Sequence, residues 1–164
     1  MPEQSPIRPT DSEARALART LIDTARFGAL GVIDPESGTP LVSRVAVATD
    51  ASGAPVSLIS DLSHHTKALE ARGDCSLLLG EPGPKGDPLT HPRLTLQAKS
   101  RFLRHGKPGH AELRARYLEI HPKSKLYIDF ADFSFVIFGV ERAYLNGGFG
   151  KAYELTPKDL ASAP

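Results

Sequence analysis

Between Ala29 and Ser60 three apolar runs of strand length follow one another with links far too short for a parallel crossover. Ala29–Ile33 is followed by the turn-rich Asp34-Pro35-Glu36-Ser37-Gly38, Leu41–Thr49 by Asp50-Ala51-Ser52-Gly53, and the third run is Val56–Ser60. A parallel connection needs a dozen residues or more, so these links demand antiparallel pairing and predict a three-stranded meander. The rest of the chain is compatible with such a sheet. Cys75–Gly80 is a further strand, and Arg93–Arg104 alternates, with Leu94, Leu96, Ala98 and Phe102 on one face and Arg93, Thr95, Gln97, Lys99 and Arg101 on the other. Phe133–Leu145 is the longest apolar run, interrupted by Gly139 and by Glu141-Arg142. A strand this long curls round a barrel, and Gly139 is where it bends. Lys151–Leu155 is the last strand, after the tight turn Asn146-Gly147-Gly148-Phe149-Gly150.

Helical spacing appears in fewer places. Ala14, Leu17, Ala18, Leu21, Ile22 and Ala25 form one apolar stripe, which predicts a helix over 11–27. Thr10-Asp11-Ser12-Glu13 has capping-box spacing, and Gly28 stands where a C-terminal cap belongs. A helix of about two turns follows Thr66 and ends near Arg72-Gly73. Another covers 108–121 with Leu113, Tyr117 and Ile120 aligned, stopped by His121-Pro122. Lys123–Phe130 is read as a short helix, and the Pro/Gly-rich 80–92 as a loop. Closing the sheet removes exposed edges, so the fold expected is α+β and mainly β: an antiparallel split β-barrel of six or seven strands with peripheral helices. Residues 1–10 are expected to be loose, 11–155 to form one domain, and 156–164 to be a polar tail.

The net charge of +1 offers nothing to a nucleic acid or an acidic membrane. The single cysteine, Cys75, cannot pair within the chain, and in Cys75-Ser76-Leu77-Leu78-Leu79 it reads as a small buried hydrophobe. The N-terminus has no apolar core for export and no window approaches the roughly 18 apolar residues that span a bilayer, so the cytoplasm is the expected compartment. Dinucleotide and phosphate-loop glycine motifs and the Gly-x-Ser-x-Gly elbow are absent. His64 and His65 are adjacent, point about 100° apart on a helix, and cannot chelate a metal by themselves. No catalytic residue or resident metal is assigned.

Two stretches carry more information. Ser57-Leu-Ile-Ser-Asp-Leu-Ser-His-His-Thr-Lys67 runs from a strand into a helix, where free backbone N–H groups and partial positive charge meet Ser60, Ser63, Thr66 and Lys67. Such a junction seats a phosphate or is an ordinary helix start with Ser63 as N-cap. Arg44, in a strand otherwise apolar, either meets a buried anion or lies at the rim and reaches water.

From about residue 14 the chain resembles the FMN-binding split-barrel superfamily, the relatives of pyridoxamine phosphate oxidase, and within it the branch of bacterial haem-utilisation proteins. The resemblance rests on Ser60-Asp61-Leu62-Ser63-His64-His65-Thr66, on Gly80-Glu81-Pro82-Gly83 with Gly86-Asp87-Pro88-Leu89-Thr90 and Pro92-Arg93-Leu94-Thr95-Leu96, and on Arg116-Tyr117-Leu118 through His121-Pro122, Tyr127, Phe130 and Asp132-Phe133 to Gly147-Gly148-Phe149-Gly150-Lys151-Ala152. It implies a homodimer with FMN across the subunit interface and flavin-dependent oxidoreductase activity. Arg44, Ser60, Thr66 and Lys67 would surround the phosphate with His65 beside them. Gln97 would approach the flavin ring from the partner chain, and Gly148, Phe149 and Gly150 would close the site. Haem-utilisation members use a histidine near the C-terminus as iron ligand. This chain has none after His121, so a haem-binding alternative would draw on His64, His65 or His121. A non-catalytic flavin-binding dimer is the remaining alternative.

Overall fold

A computed structural model describes residues 6–161; the expectations for residues 1–5 and 162–164 lie outside the described residues. The elements in order are β1 (Ile7–Arg8), α1 (Ser12–Thr24), β2 (Phe27–Ile33), β3 (Pro40–Ala46), β4 (Ala48–Thr49), β5 (Pro55–Ser60), α2 (His64–Ala71), β6 (Asp74–Leu79), β7 (Arg93–Leu103), α3 (His110–Ile120), β8 (Phe133–Asn146) and β9 (Ala152–Leu155), with short 3₁₀ turns at Pro88–Thr90 and Pro122–Leu126. The split-barrel expectation is borne out. Among the described residues seven strands have four or more residues, β1 and β4 have two each, and every pairing is antiparallel except the parallel contact of β1 with β9. The strand order is β1-β9-β8-β7-β6-β2-β3, and the path does not close.

The meander is the part that differs. β2 and β3 form a hairpin, but the predicted strand 41–49 breaks at Val47, whose N–H turns to the carbonyl of Arg26 (2.9 Å). Ala48–Thr49 then pairs with β5, and β5 joins β8 instead of β3. The cause is burial: Pro55 through Ile59 are buried on both faces, which an edge place beside β3 cannot provide. β8 spans both halves. One edge pairs with β7, while the other takes β5 along Phe133–Ile137 and β9 along Ala143–Asn146. Its ladder with β7 slips between Gln97 and Ala98, so Glu141 is an extra residue in a bulge that bends the strand beside Gly139.

Two further details correct the helix ends. Asp11, not Thr10, caps α1, accepting the N–H of Ala14 at 2.8 Å, because Thr10 donates its hydroxyl to the Glu154 carbonyl (3.0 Å). Gly28 lies inside β2 and does not cap α1. A Cβ there would stand 2.8 Å from Leu79 Cδ2 and 2.9 Å from the Leu78 carbonyl, so only glycine fits against β6.

The larger core lies between the inner face of the sheet and α1 and α2, with Ala18, Ile22, Leu30, Leu77, Leu96 and Phe138 among its buried members. A second cluster packs Leu113 and Tyr117 of α3 and Ile128 against Val56, Leu58 and Phe135. The stretch from Thr156 is not wholly surface: a turn closed by Asp159 carries Leu160 into the larger core. Among the described residues no helix is long and apolar enough to cross a membrane.

Candidate functional site

Strand alternation gives the sheet two faces, and the registers show which residues share each. Leu30, Val45, Leu77, Leu96 and Leu145 point inward, all buried. Outward, the ladders align Arg44, Ala29, Leu78, Thr95 and Tyr144 in one row across five strands. The next row is Val42, Gly31, Ser76, Gln97 and Arg142. Four inter-strand spacings make this face about 19 Å wide. It is open and partly apolar: Phe27 is 41% exposed, Val42 66%, Leu78 44% and Tyr144 36%. A cavity of about 500 Å³ indents it beside Gly31, Ser76, Gln97 and Glu141.

The predicted phosphate residues divide between two places. Ser60, His65 and Thr66 come together at the start of α2. The Thr66 hydroxyl, fully buried, donates to the Ser60 carbonyl (2.6 Å), and the Ser60 hydroxyl donates to the Asp132 carboxylate (2.7 Å). His65 Nδ1 lies 3.0 Å from the Ser43 hydroxyl, and burial, then the neighbouring His64, lowers its pKa from the usual 6.5. Ser63 occupies the N-cap without a side-chain capping bond, and Lys67 is exposed. Arg44 is elsewhere. It follows Ser43 on β3 and therefore points to the opposite face, where its guanidinium stands 5.4 Å above the Phe27 ring. In the single chain Arg44 is exposed on the open face.

Gln97 shares that face with Arg44, three strands away. Gly148 and Gly150 have positive φ in the turn after β8, and Phe149 between them is 95% exposed. Of the haem-ligand candidates, His64 is exposed at the start of α2, His65 faces Ser43, and His121 directs Nε2–H to the Val47 carbonyl (2.8 Å) beside the Tyr117 ring. Burial pushes the Cys75 thiol up to about 12, which favours the protonated form at neutral pH. The sequence reading missed Ser43 and Asp132 as partners of His65 and Ser60. It also missed Tyr144 and Arg142 as members of the open face. The only signal for that pair was the polar interruption Glu141-Arg142 in an apolar strand.

Residues 9–161 match the family described as CREG, beta-barrel, and the chain belongs to that family. It is 33% identical over 141 residues to the chloroplastic protein of Arabidopsis thaliana called non-canonical heme oxygenase HOZ, a match covering 79% of this chain and 42% of that protein. The chain therefore spans less than half the length of that relative. It is 30% identical to a heme binding protein from Mycobacterium smegmatis, with a TM-score of 0.80 over 94% of this chain and 61% of the other. A protein from Clostridium acetobutylicum, related to general stress protein 26 and of the pyridoxinephosphate oxidase family, shares the fold at 14% identity, with a TM-score of 0.68 over 92% of this chain and 99% of the other.

Proposed function

We propose that this CREG β-barrel protein binds a haem-type tetrapyrrole on the open face of its sheet, as a homodimer in which a second copy covers that face. The observation that carries the reading is the face itself. It is broad, its apolar centre includes Ala29 and Leu78, and it has cationic side chains at Arg44 and Arg142. A flat macrocycle with an apolar body and carboxylate arms needs that combination, since guanidinium groups hold carboxylates through two-pronged hydrogen bonds. The names of the Arabidopsis and Mycobacterium relatives support the same ligand class. Haem would supply a redox-active iron; this chain would supply the apolar seat, the carboxylate partners and exclusion of water.

Titrating the purified protein with hemin tests the proposal. An intense haem absorption band that saturates with added hemin, weakened in Arg44→Ala, is the expected result; an unchanged spectrum of free hemin would refute it.

FMN is the second reading, favoured by the unpaired Ser63 and Lys67 side chains at the first turn of α2. Against it, the hydroxyls of Ser60 and Thr66 are engaged within the chain and Arg44 lies on the far side of β3. On this reading the protein would be a flavin-dependent oxidoreductase or a non-catalytic flavin-binding dimer. A parallel FMN titration separates it from the first: quenching of flavin fluorescence that Lys67→Ala abolishes and Arg44→Ala does not would assign the site to the start of α2.

A further inference from the structure

We infer that His105 and His110 form a proton-operated latch, which holds the link between β7 and α3 against the body at neutral pH and frees it in mild acid. The link, residues 104–109, contains Gly106 and Gly109, both with positive φ and with open space where a Cβ would stand. Its backbone bonds are local: the Lys107 N–H donates to the Arg104 carbonyl (3.2 Å) and the His110 N–H to the Lys107 carbonyl (3.1 Å). At its start Arg104 pairs with Asp61 (3.3 Å) and Glu70 (2.9 Å), and His105 directs Nε2–H to the Phe130 carbonyl (3.2 Å). At its far end the His110 ring, 6% exposed, packs between the rings of His105 (4.6 Å) and Phe135 (5.2 Å).

That seat suits a neutral imidazole. An imidazolium carries N–H on both nitrogens, and His110 Nε2 is buried with no hydrogen-bond partner to accept one. The groups around the pair do not supply the missing acceptor. β8 presents the Phe135 ring, and α3 presents the Arg114 guanidinium, a like charge. Asp129 has both carboxylate oxygens on Arg114 (2.7 and 2.6 Å), while Asp61 and Glu70 are taken by Arg104. The link itself adds only the cations Arg104 and Lys107. Burial first, then His105 and Arg114, accordingly hold His110 below the usual 6.5.

When the pair takes up a proton from solvent, the imidazolium leaves the Phe135 seat for water, and the link follows by rotation at Gly106 and Gly109. Pro108 and Gly109 line one part of a groove of about 650 Å³ between α3 and β7, whose walls include Arg101, Leu103, Glu112 and Arg116. Releasing the latch therefore widens that groove in acid.

The test is an NMR titration of the full chain between about pH 7.5 and about pH 5, following the histidine rings and the backbone amides. The Gly106 and Gly109 amide signals should shift with the same midpoint as the His110 ring, while Gly31 in β2 stays in place. In His110→Phe, which keeps an aromatic ring in the seat, the glycine shifts should be lost. In His105→Gln, which keeps a donor for the Phe130 carbonyl and removes the neighbouring cation, the His110 midpoint should rise and the glycine midpoint should rise with it. Glycine signals that stay fixed in the wild type, that shift equally in His110→Phe, or that ignore the moved midpoint in His105→Gln overturn the latch. A Gly31 signal that moves together with them also overturns it, because the transition would then involve the whole fold.

Discussion

His110 shows how much one buried side chain can set. It opens α3, stacks on His105 (4.6 Å) and on Phe135 (5.2 Å), and its Nε2 is buried without a hydrogen-bond partner. Burial, then His105 and Arg114, lowers its pKa from the usual 6.5, and Asp129 opposes them only weakly. Below pH 6.5 the unfolded chain therefore binds a proton that the folded chain resists, so stability falls as the pH falls toward the folded value. His65, lowered by its own burial, adds in the same direction. Between about pH 7.5 and about pH 5.5 the urea midpoint of the wild type should drop. His110→Phe, which replaces an unsatisfied polar ring by an apolar one, should be near neutral at the higher pH and drop less at the lower. An equal drop in both proteins would remove His110 from the explanation.

Elements are held by contacts remote in sequence. Arg19 of α1 donates to the carbonyls of Leu160 (2.8 Å) and Gly53 (2.7 Å), tying the helix to the last turn and to the link before β5. Arg15 pairs with Asp159 (2.8 Å), and Leu160, 6% exposed, packs into the larger core. A stretch of mixed polar and small residues thus carries one apolar side chain that acts as a core residue. Leu160→Ala should cost about 2–4 kcal/mol, the usual penalty for emptying a buried leucine site. Chemical denaturation decides: a loss below about 0.5 kcal/mol, typical of surface changes, would mean that this turn does not anchor α1.

At the scale of the molecule, one face of the sheet is core and the other is open, because strand alternation puts leucine and valine inward and a mixture of arginine, glutamine, threonine and isolated apolar residues outward. If a second copy covers that face, a charge at its rim will disrupt the assembly without touching the fold. Val42→Asp, at a position 66% exposed, should leave the circular dichroism spectrum and urea midpoint nearly unchanged and halve the mass measured by light scattering. An unaltered dimer would place the interface elsewhere; a monomeric wild type would remove the homodimer.

The strand and helix pattern was legible in the residues because it depends on local periodicity: the alternation over Arg93–Arg104 and the stripe from Ala14 to Ala25 recur in β7 and α1. So was the antiparallel character of the sheet, which short links impose. What only the tertiary structure decided was non-local. Nothing near Val47 announces that the chain leaves β3 there and that β5 will lie beside β8, because that choice depends on burying both faces of β5 against partners far along the chain. The division of the candidate site has the same origin. Ser43 and Arg44 are neighbours in sequence, yet alternation sends one toward His65 and the other to the open face. Only the register across five strands then places Arg44 in line with Tyr144.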